Sequence, residues 1–506
     1  MGPPIDIEKT VRVSEGPYTA TQDEATDKRG VMGYLRFYET WLDKRLGVEV
    51  HGPDRVRPED KKPPSILNAM FIWFSGCMNI SCFATGSLGW QFGLALRQTI
   101  PITIFASILG GAVTGWCATL GPGTGCRQVA ISRYSLGWYP SKIIAFLNVI
   151  EQIGWCTTAC VTGGLCLTAV CDGKISLALG VFIIAVVALT ISFIGLRAVL
   201  LYDKYSWIPT FIVFIILYGE AGKFADTHTP AQVSGATFSG ACLSLFSVVY
   251  GSSASWSSIV SDYYVHYPTD TPKWKICSLV TIGISFPTCI GMVIGCIVAS
   301  ALNNNTEWTN IYDDEGVGYL LQAVLYPRGF AKFLLVLLVL ASIGMTTIAI
   351  YSAGLSAQLF AQPFKRVPRF IWCLVMFVVV LALAIAGREH LSEILENFLS
   401  LLGYWNTAFF VILFTEHYYF RDGSLDNYDL ESWNTQSKLP IGIAGLVAFL
   451  LGIVGCILGM SQTWYIGCLS GKIGESGGDV GNELALIFTA VSYPPLRYWE
   501  LKRFGR

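Results

Sequence analysis

The residues of this chain whose types could do chemistry gather in one apolar stretch near residue 150. Asn148, Glu151, Gln152 and Trp155 lie within about two helical turns of one another. Residues four apart share a face of a helix, so Glu151 and Trp155 are expected side by side. A carboxyl group in such a stretch is costly unless it is paired, hydrated or protonated. Glu151 therefore indicates a group that carries a proton, faces a cationic substrate, or serves structurally beside a basic partner.

A second tryptophan lies in a stretch crowded with serine and glycine. Trp155 and Trp256 could hold a planar ring between them, because stacking of a base on an aromatic face is worth ~1–3 kcal/mol. A single tryptophan in a membrane helix more often serves packing or the membrane interface. Two of them near predicted interruptions of apolar stretches favour a binding role.

Twelve apolar stretches must position these residues, and most are long enough to cross a bilayer. A hydrocarbon core ~30 Å thick needs ~20 apolar residues of helix. The pattern predicts an all-α, polytopic membrane protein with twelve transmembrane helices. The predicted spans are 66–92, 98–120, 142–170, 175–195, 206–222, 236–260, 276–301, 331–357, 370–387, 393–415, 440–460 and 482–499.

The composition agrees with this class. Of 506 residues, 53% are hydrophobic and 14% charged, and the net charge of −1 gives no basic excess that would indicate nucleic acid. The 15 cysteines show no zinc-type spacing with histidine, so neither a metal nor another cofactor is expected. The five histidines fall in tails, loops or span ends, which argues against a membrane enzyme. A channel would need a continuous polar pore, whereas the polar residues cluster at two places.

Those two places are interruptions of the first and sixth spans. Ser75, Gly76 and Asn79 break the first, and a run of glycine and serine over 251–258 breaks the sixth. Non-helical backbone at membrane depth survives only where it is buried in protein or lines a cavity. Matching interruptions in two halves point to a transporter site, although small-residue packing between helices is the alternative.

The offset of five spans between the interruptions predicts a five-plus-five inverted repeat with two extra helices. We expect a tail at 1–64, a transmembrane domain at 65–499 with repeats at about 66–222 and 236–415 and extra helices at about 440–499, and a tail at 500–506. The tails and the even-numbered loops hold all but seven of the 34 Lys and Arg, so both tails are expected in the cytosol. The seven are Arg97, Lys174, Lys223, Arg328, Lys332, Arg388 and Lys472.

The loop after the second span carries a long motif. From Gly121 to Lys142 it reads GPGTGCRQVAISRYSLGWYPSK, which resembles the signature of the fungal purine–cytosine permease branch of the nucleobase:cation symporter family. Further matches follow at Trp73-Phe74-Ser75, Gly154-Trp155, Tyr205 to Pro209, Ser261 to Pro268 and Tyr351-Ser352. The resemblance implies a LeuT-like fold of twelve helices and uptake at the plasma membrane. It also implies proton symport of purines, cytosine or related heterocycles, and one offshoot of the family takes vitamin B6.

The resemblance also suggests site residues. Ser75, Trp155 and Trp256 match substrate-contacting positions of the family. Asp203 falls where relatives often carry glutamate, a position that bears either on proton coupling or on structure. Together with Glu151, which its apolar surroundings single out, Asp203 is a candidate for proton coupling.

The chain departs from nucleobase carriers at positions where they tend to carry amides. Ala159 stands four residues after Trp155, where such carriers usually have asparagine, and Thr346 and Ala349 occupy the corresponding run of the eighth span. The amides would pair with the donor–acceptor edge of a base, and losing such a pair leaves ring groups unsatisfied. Purines and cytosine are expected to be handled poorly unless Thr346 replaces part of the pairing.

The leading interpretation is a proton-coupled importer of a small planar nitrogen heterocycle. Its partners would be the heterocycle, the proton and the lipid bilayer. Two alternatives stay open. One is an importer of vitamin B6 or another heterocycle that is not a nucleobase, and the other is a sensor without transport on the same fold.

Overall fold

The computed structural model describes residue 34 and residues 54–63, 65–194, 196–360, 364 and 367–506. The predicted N-terminal tail therefore lies mostly outside the described residues. In the rest the chain is almost wholly helical, with one short antiparallel hairpin of β1 (Ser461–Gln462) and β2 (Tyr465–Ile466).

The α-helices follow the predicted spans along the chain. In order they are α1 (Asn68–Cys77), α2 (Ile80–Gln91), α3 (Leu96–Ala118), α4 (Leu120–Thr124), α5 (Gln128–Leu136), α6 (Ser141–Val170), α7 (Leu177–Ile194), α8 (Leu196–Ala221), α9 (Gly235–Ala254), α10 (Lys273–Ala301), α11 (Thr306–Glu315), α12 (Val317–Val324), α13 (Arg328–Phe360), α14 (Arg369–Ala386), α15 (Leu391–Thr415), α16 (Ile443–Gly459) and α17 (Gly481–Phe504).

Length and hydropathy single out the membrane-crossing helices. Among the described residues, six helices are long and apolar enough alone, and the bent pair α1 and α2 makes a seventh span. Three shorter apolar helices, α7, α14 and α16, stand at predicted spans. The two remaining predicted spans are occupied by α9 and α17. Every one of the twelve predicted spans thus has a helix.

Two helices extend beyond their predicted spans. The apolar span of α8 begins at Tyr205, close to the predicted 206, but the helix itself begins at Leu196, so Asp203 lies inside α8. Charged residues near its start hid this extension from the hydropathy pattern. The last helix runs without a break through Pro494 and Pro495 to Phe504.

The first break is a sharp turn between α1 and α2, which meet at 61°. Asn79 occupies the turn in an extended conformation, and its Oδ1 accepts from the backbone N–H of Cys82, which caps α2. Its Nδ2 donates to the carbonyl of Gly76 at 2.9 Å and contacts Met345 Sδ on α13 at 3.0 Å. One side chain therefore ties both half-helices to α13.

The second break is at the end of α9. The α-helix stops at Ala254 and continues as two 3-10 turns, Ser255–Ser258 and Val260–Tyr263. These turns are buried, and they present Trp256 and its neighbouring serines to the interior.

Close backbone contacts hold the helices around these breaks. A Cβ on Gly295 would lie 2.0 Å from the Phe83 carbonyl oxygen, and one on Gly86 would lie 2.0 Å from that of Met292. Only glycine allows α2 and α10 to approach this closely. The side chains of α6 pack most extensively against α13, and α16 packs against α17.

Candidate substrate site

The two tryptophans lie against each other. Trp155 of α6 and Trp256 of the 3-10 turn stack with ring centroids 5.6 Å apart and planes 10° apart. Both are buried. The sequence-predicted pair is therefore brought together in space, from elements that are about 100 residues apart in the chain.

The two indole rings leave no room for a third ring between them. Carbon atoms in contact are ~3.5–4.0 Å apart, so a third ring between two parallel rings needs ~7 Å between their planes. The centroids of the two indoles are only 5.6 Å apart, so each indole packs against a face of the other. A planar ligand can enter between them only when the rings part.

Other aromatic rings frame the pair. Trp73 of α1 meets Trp256 edge to face at 5.5 Å, and Phe398 of α15 meets Trp155 edge to face at 5.7 Å. A Cβ on Gly154 would lie 2.1 Å from the Phe398 ring, so glycine at this position lets Phe398 reach the pair. The site is thus built from both breaks and from α6 and α15.

Glu151 lies one turn below Trp155 and is fully buried. Its Oε2 accepts a hydrogen bond from Asn406 Nδ2 of α15 at 3.1 Å, and Asn406 Oδ1 accepts from Ser257 Oγ at 2.8 Å. Trp155 and Ser258 are its other polar neighbours. None of the Lys, Arg or His residues described in the structure pairs with this carboxylate, so the described residues give no support to the alternative of a structural carboxylate beside a basic partner.

A second set of hydrogen bonds runs beside the first. Ser258 Oγ donates to Asn148 Oδ1 at 3.0 Å, and Gln152 Nε2 donates to the same oxygen at 3.2 Å. Asn148 Nδ2 donates to Ser356 Oγ of α13 at 2.7 Å. The polar residues of α6 are therefore bound to the second break and to two further helices.

Ser75 is buried and contacts α8. Its hydroxyl accepts a hydrogen bond from Ser206 Oγ of α8 at 3.0 Å. Trp73, two residues earlier on α1, meets Trp256. The role of Ser75 in substrate contact stays a prediction.

The positions without amides lie in the contact between α6 and α13. Thr346 donates to the Ser342 carbonyl at 2.9 Å, and its hydroxyl lies 3.8 Å from Cys160 Sγ. Ala159 and Ala349 are both 1% exposed within the apolar core. Among the described contacts, the Thr346 hydroxyl is directed at α6 and at its own helix.

Asp203 lies within α8 by its backbone, and its side chain lies outside what the structure describes. Its coupling role stays a prediction. The described residues hold no group of three or more His, Cys, Asp or Glu that could bind a metal ion.

Sequence reasoning missed Asn406, Ser257 and Phe398 as parts of the site. Asn406 is an amide in the apolar middle of α15, and that was the only signal available. Its importance comes from the packing of α15 against α6 and the second break, which periodicity within one helix does not report.

Comparison with known proteins decides the family. The profile of a family described as permeases for cytosine and purines, uracil, thiamine and allantoin matches residues 57–473. The chain belongs to this permease family. It is therefore a membrane transporter and not an enzyme, and the resemblance inferred from the loop motif is confirmed.

The relatives span nearly the whole chain. It is 35% identical to the purine-cytosine permease fcyB of Emericella nidulans over 99% of each protein. It is 32% identical to the purine-cytosine permease FCY2 of Saccharomyces cerevisiae over 100% of this chain and 96% of that one. It is 31% identical to the vitamin B6 transporter TPN1 of Saccharomyces cerevisiae over 97% of this chain and 95% of that one.

Solved structures confirm the fold. The inward-facing conformation of Mhp1 superposes with a TM-score of 0.64 at 14% identity, covering 90% of this chain and 96% of that one. Mhp1 in a closed conformation with bromovinylhydantoin bound, described as a nucleobase-cation-symport-1 family transporter, gives 0.60 at 15% identity over the same shares. The predicted LeuT-like, all-α fold is correct.

Proposed function

We propose that this protein imports a small planar nitrogen heterocycle, which binds by stacking on Trp155 and Trp256. The observation that carries the proposal is the stacked, buried indole pair at the meeting point of both helix breaks. Relatives named as purine-cytosine permeases support the substrate class. The rings part to admit the ligand, and the unwound segments beside them allow that movement.

Transport is coupled to protons in this proposal. Glu151 supports it, because a buried carboxyl group without a cationic partner can hold a proton and give it up when a positively charged or N–H-donating ligand faces it. Asp203 is the second candidate, from its match to a family position. In this proposal the protein resides in the plasma membrane, as its resemblance to the fungal permeases implies. Both termini lie in the cytosol, as the distribution of Lys and Arg suggests.

The driving ion is tested by uptake of labelled substrate into cells of a transporter-null fungal strain. A protonophore is expected to stop concentrative uptake, and replacing sodium with choline is expected to leave it unchanged. Sodium-dependent uptake that survives the protonophore would contradict proton coupling.

Vitamin B6 is the second candidate substrate. Ala159 and Ala349 remove amides that would pair with a base edge, and one relative of similar identity is named a vitamin B6 transporter. Pyridoxine therefore belongs in the first substrate panel beside the nucleobases.

A further inference from the structure

Three buried polar atoms beside the tryptophan pair have no hydrogen-bond partner among the described residues. They are Glu151 Oε1, Gln152 Oε1 and Trp155 Nε1. The three side chains are 0%, 0% and 4% exposed in turn. No other pair of adjacent turns in the described helices holds three such atoms. Buried polar atoms are nearly always satisfied, so a cluster of exceptions calls for an explanation such as a ligand.

Asn406 holds one oxygen of the Glu151 carboxylate, whereas the other, Oε1, accepts no hydrogen bond from the described residues, although Trp155 and Ser258 lie close to the carboxylate. Asn406 Nδ2 holds Oε2 at 3.1 Å and also donates to the Leu402 carbonyl at 3.0 Å. Ser257, next to Trp256 in the chain, donates a hydrogen bond from its Oγ to Asn406 Oδ1 at 2.8 Å. Asn406 and Ser257 are thus positioning residues, and they couple the carboxylate to the turn that carries one of the two rings.

Two of the three buried atoms without a hydrogen-bond partner are acceptors. Glu151 Oε1 and Gln152 Oε1 accept, and Trp155 Nε1 alone donates. The described Lys, Arg and His residues make no pair with the carboxylate. A positive charge or a pair of donors on a ligand would satisfy this edge, and charge-assisted hydrogen bonds are the strong ones.

We propose that Glu151 and Gln152 form an acceptor subsite that selects heteroaromatic rings with a positive charge or two neighbouring N–H or O–H donors. This rests on the proposed stacking site at Trp155 and Trp256. The edge of a neutral base alternates donor and acceptor, and it suits this subsite less well. Ala159 and Ala349 supply no amide. In this proposal Glu151 and Gln152 are therefore the groups that hydrogen-bond the edge of the ring.

The test compares substrates in the wild-type protein and in Glu151→Gln, which keeps the size of the side chain and removes its charge. Exchange of labelled substrate across the membrane without an ion gradient is measured, with pyridoxine as the donor-rich competitor and cytosine as the neutral one. In Glu151→Gln, inhibition by pyridoxine is expected to weaken about 10-fold or more, and inhibition by cytosine to change less. Glu483→Gln removes a half-buried acid whose Oε2 is buried without a hydrogen-bond partner among the described residues, far along the chain on α17, and serves as the control.

A second readout covers the stability of the variant. Glu151→Gln removes a buried charge that has no cationic partner, so the purified protein in detergent is expected to keep at least the wild-type Tm. Pyridoxine is expected to raise the Tm of the wild type and to raise that of Glu151→Gln less.

The outcomes separate this inference from the proposed function. Loss of concentrative uptake with unchanged exchange and unchanged competitor ranking in Glu151→Gln would mean that the carboxylate serves only coupling, and would overturn the subsite. A wild-type protein that exchanges and binds no heterocycle at all would instead overturn the proposed function itself.

Discussion

At the scale of single residues, the first prediction concerns the stacked indoles. Trp155→Ala and Trp256→Ala are each expected to weaken apparent substrate affinity roughly 5–150-fold, because each removes ~1–3 kcal/mol of stacking. Phenylalanine at either position should retain part of the affinity. The measurement is the KM for uptake, normalised to surface expression.

Trp464, which is 63% exposed in the hairpin, provides a matched control. Trp464→Ala should leave the KM unchanged. Wild-type kinetics in both Trp155→Ala and Trp256→Ala would show that the two rings only pack.

Ala159 carries a second expectation, about specificity. Ala159→Asn is expected to improve competition by cytosine and adenine several-fold, since one restored pairing is worth ~1–3 kcal/mol. Ala159→Val adds bulk without an amide and should not improve it. Uptake of these bases by the wild type at micromolar concentration would contradict the expectation, and groups such as Gln152 would then supply the hydrogen bonds.

At the scale of elements, the turn at Asn79 determines how the first span is broken. Asn79→Ala is expected to cost ~0.5–2 kcal/mol of stability through loss of the α2 cap, with a further loss from the bonds to Gly76 and Met345. Asn79→Ser keeps a neutral cap acceptor and should lie between Ala and wild type. Thermal unfolding in detergent measures both, and equal Tm values in all three proteins would show that the turn is held by other contacts.

The sequence predicted the spans well because hydropathy reports burial in lipid directly. It also located both breaks, since glycine, serine and asparagine interrupt an apolar run visibly. It did not predict the hydrogen bond between Ser75 and Ser206, because the rotation of a helix against its neighbours depends on tertiary packing. The same holds for Asn406, whose role exists only through its contact with Glu151. The start of helix α8 before the predicted fifth span was hidden by charged residues inside the helix.

At the scale of the whole molecule, the prediction concerns the topology of the chain in the membrane. Twelve spans and the distribution of Lys and Arg predict that both termini face the cytosol. Reporter fusions at each terminus should give the cytosolic signal, and a tag inserted in the segment 303–328 should be accessible from outside. Termini on opposite sides of the membrane would contradict an even number of spans.

The central claim is that this permease recognises a planar nitrogen heterocycle through its tryptophan pair. The most direct measurement is a competition panel of adenine, hypoxanthine, cytosine, pyridoxine and allantoin against labelled uptake in a transporter-null fungal strain. It is run on the wild type and on Trp155→Ala matched for surface expression. We expect at least one aromatic heterocycle to compete in the wild type and to lose most of its potency in Trp155→Ala. Uptake that no aromatic heterocycle inhibits, or inhibition that is equal in the two proteins, would contradict the claim.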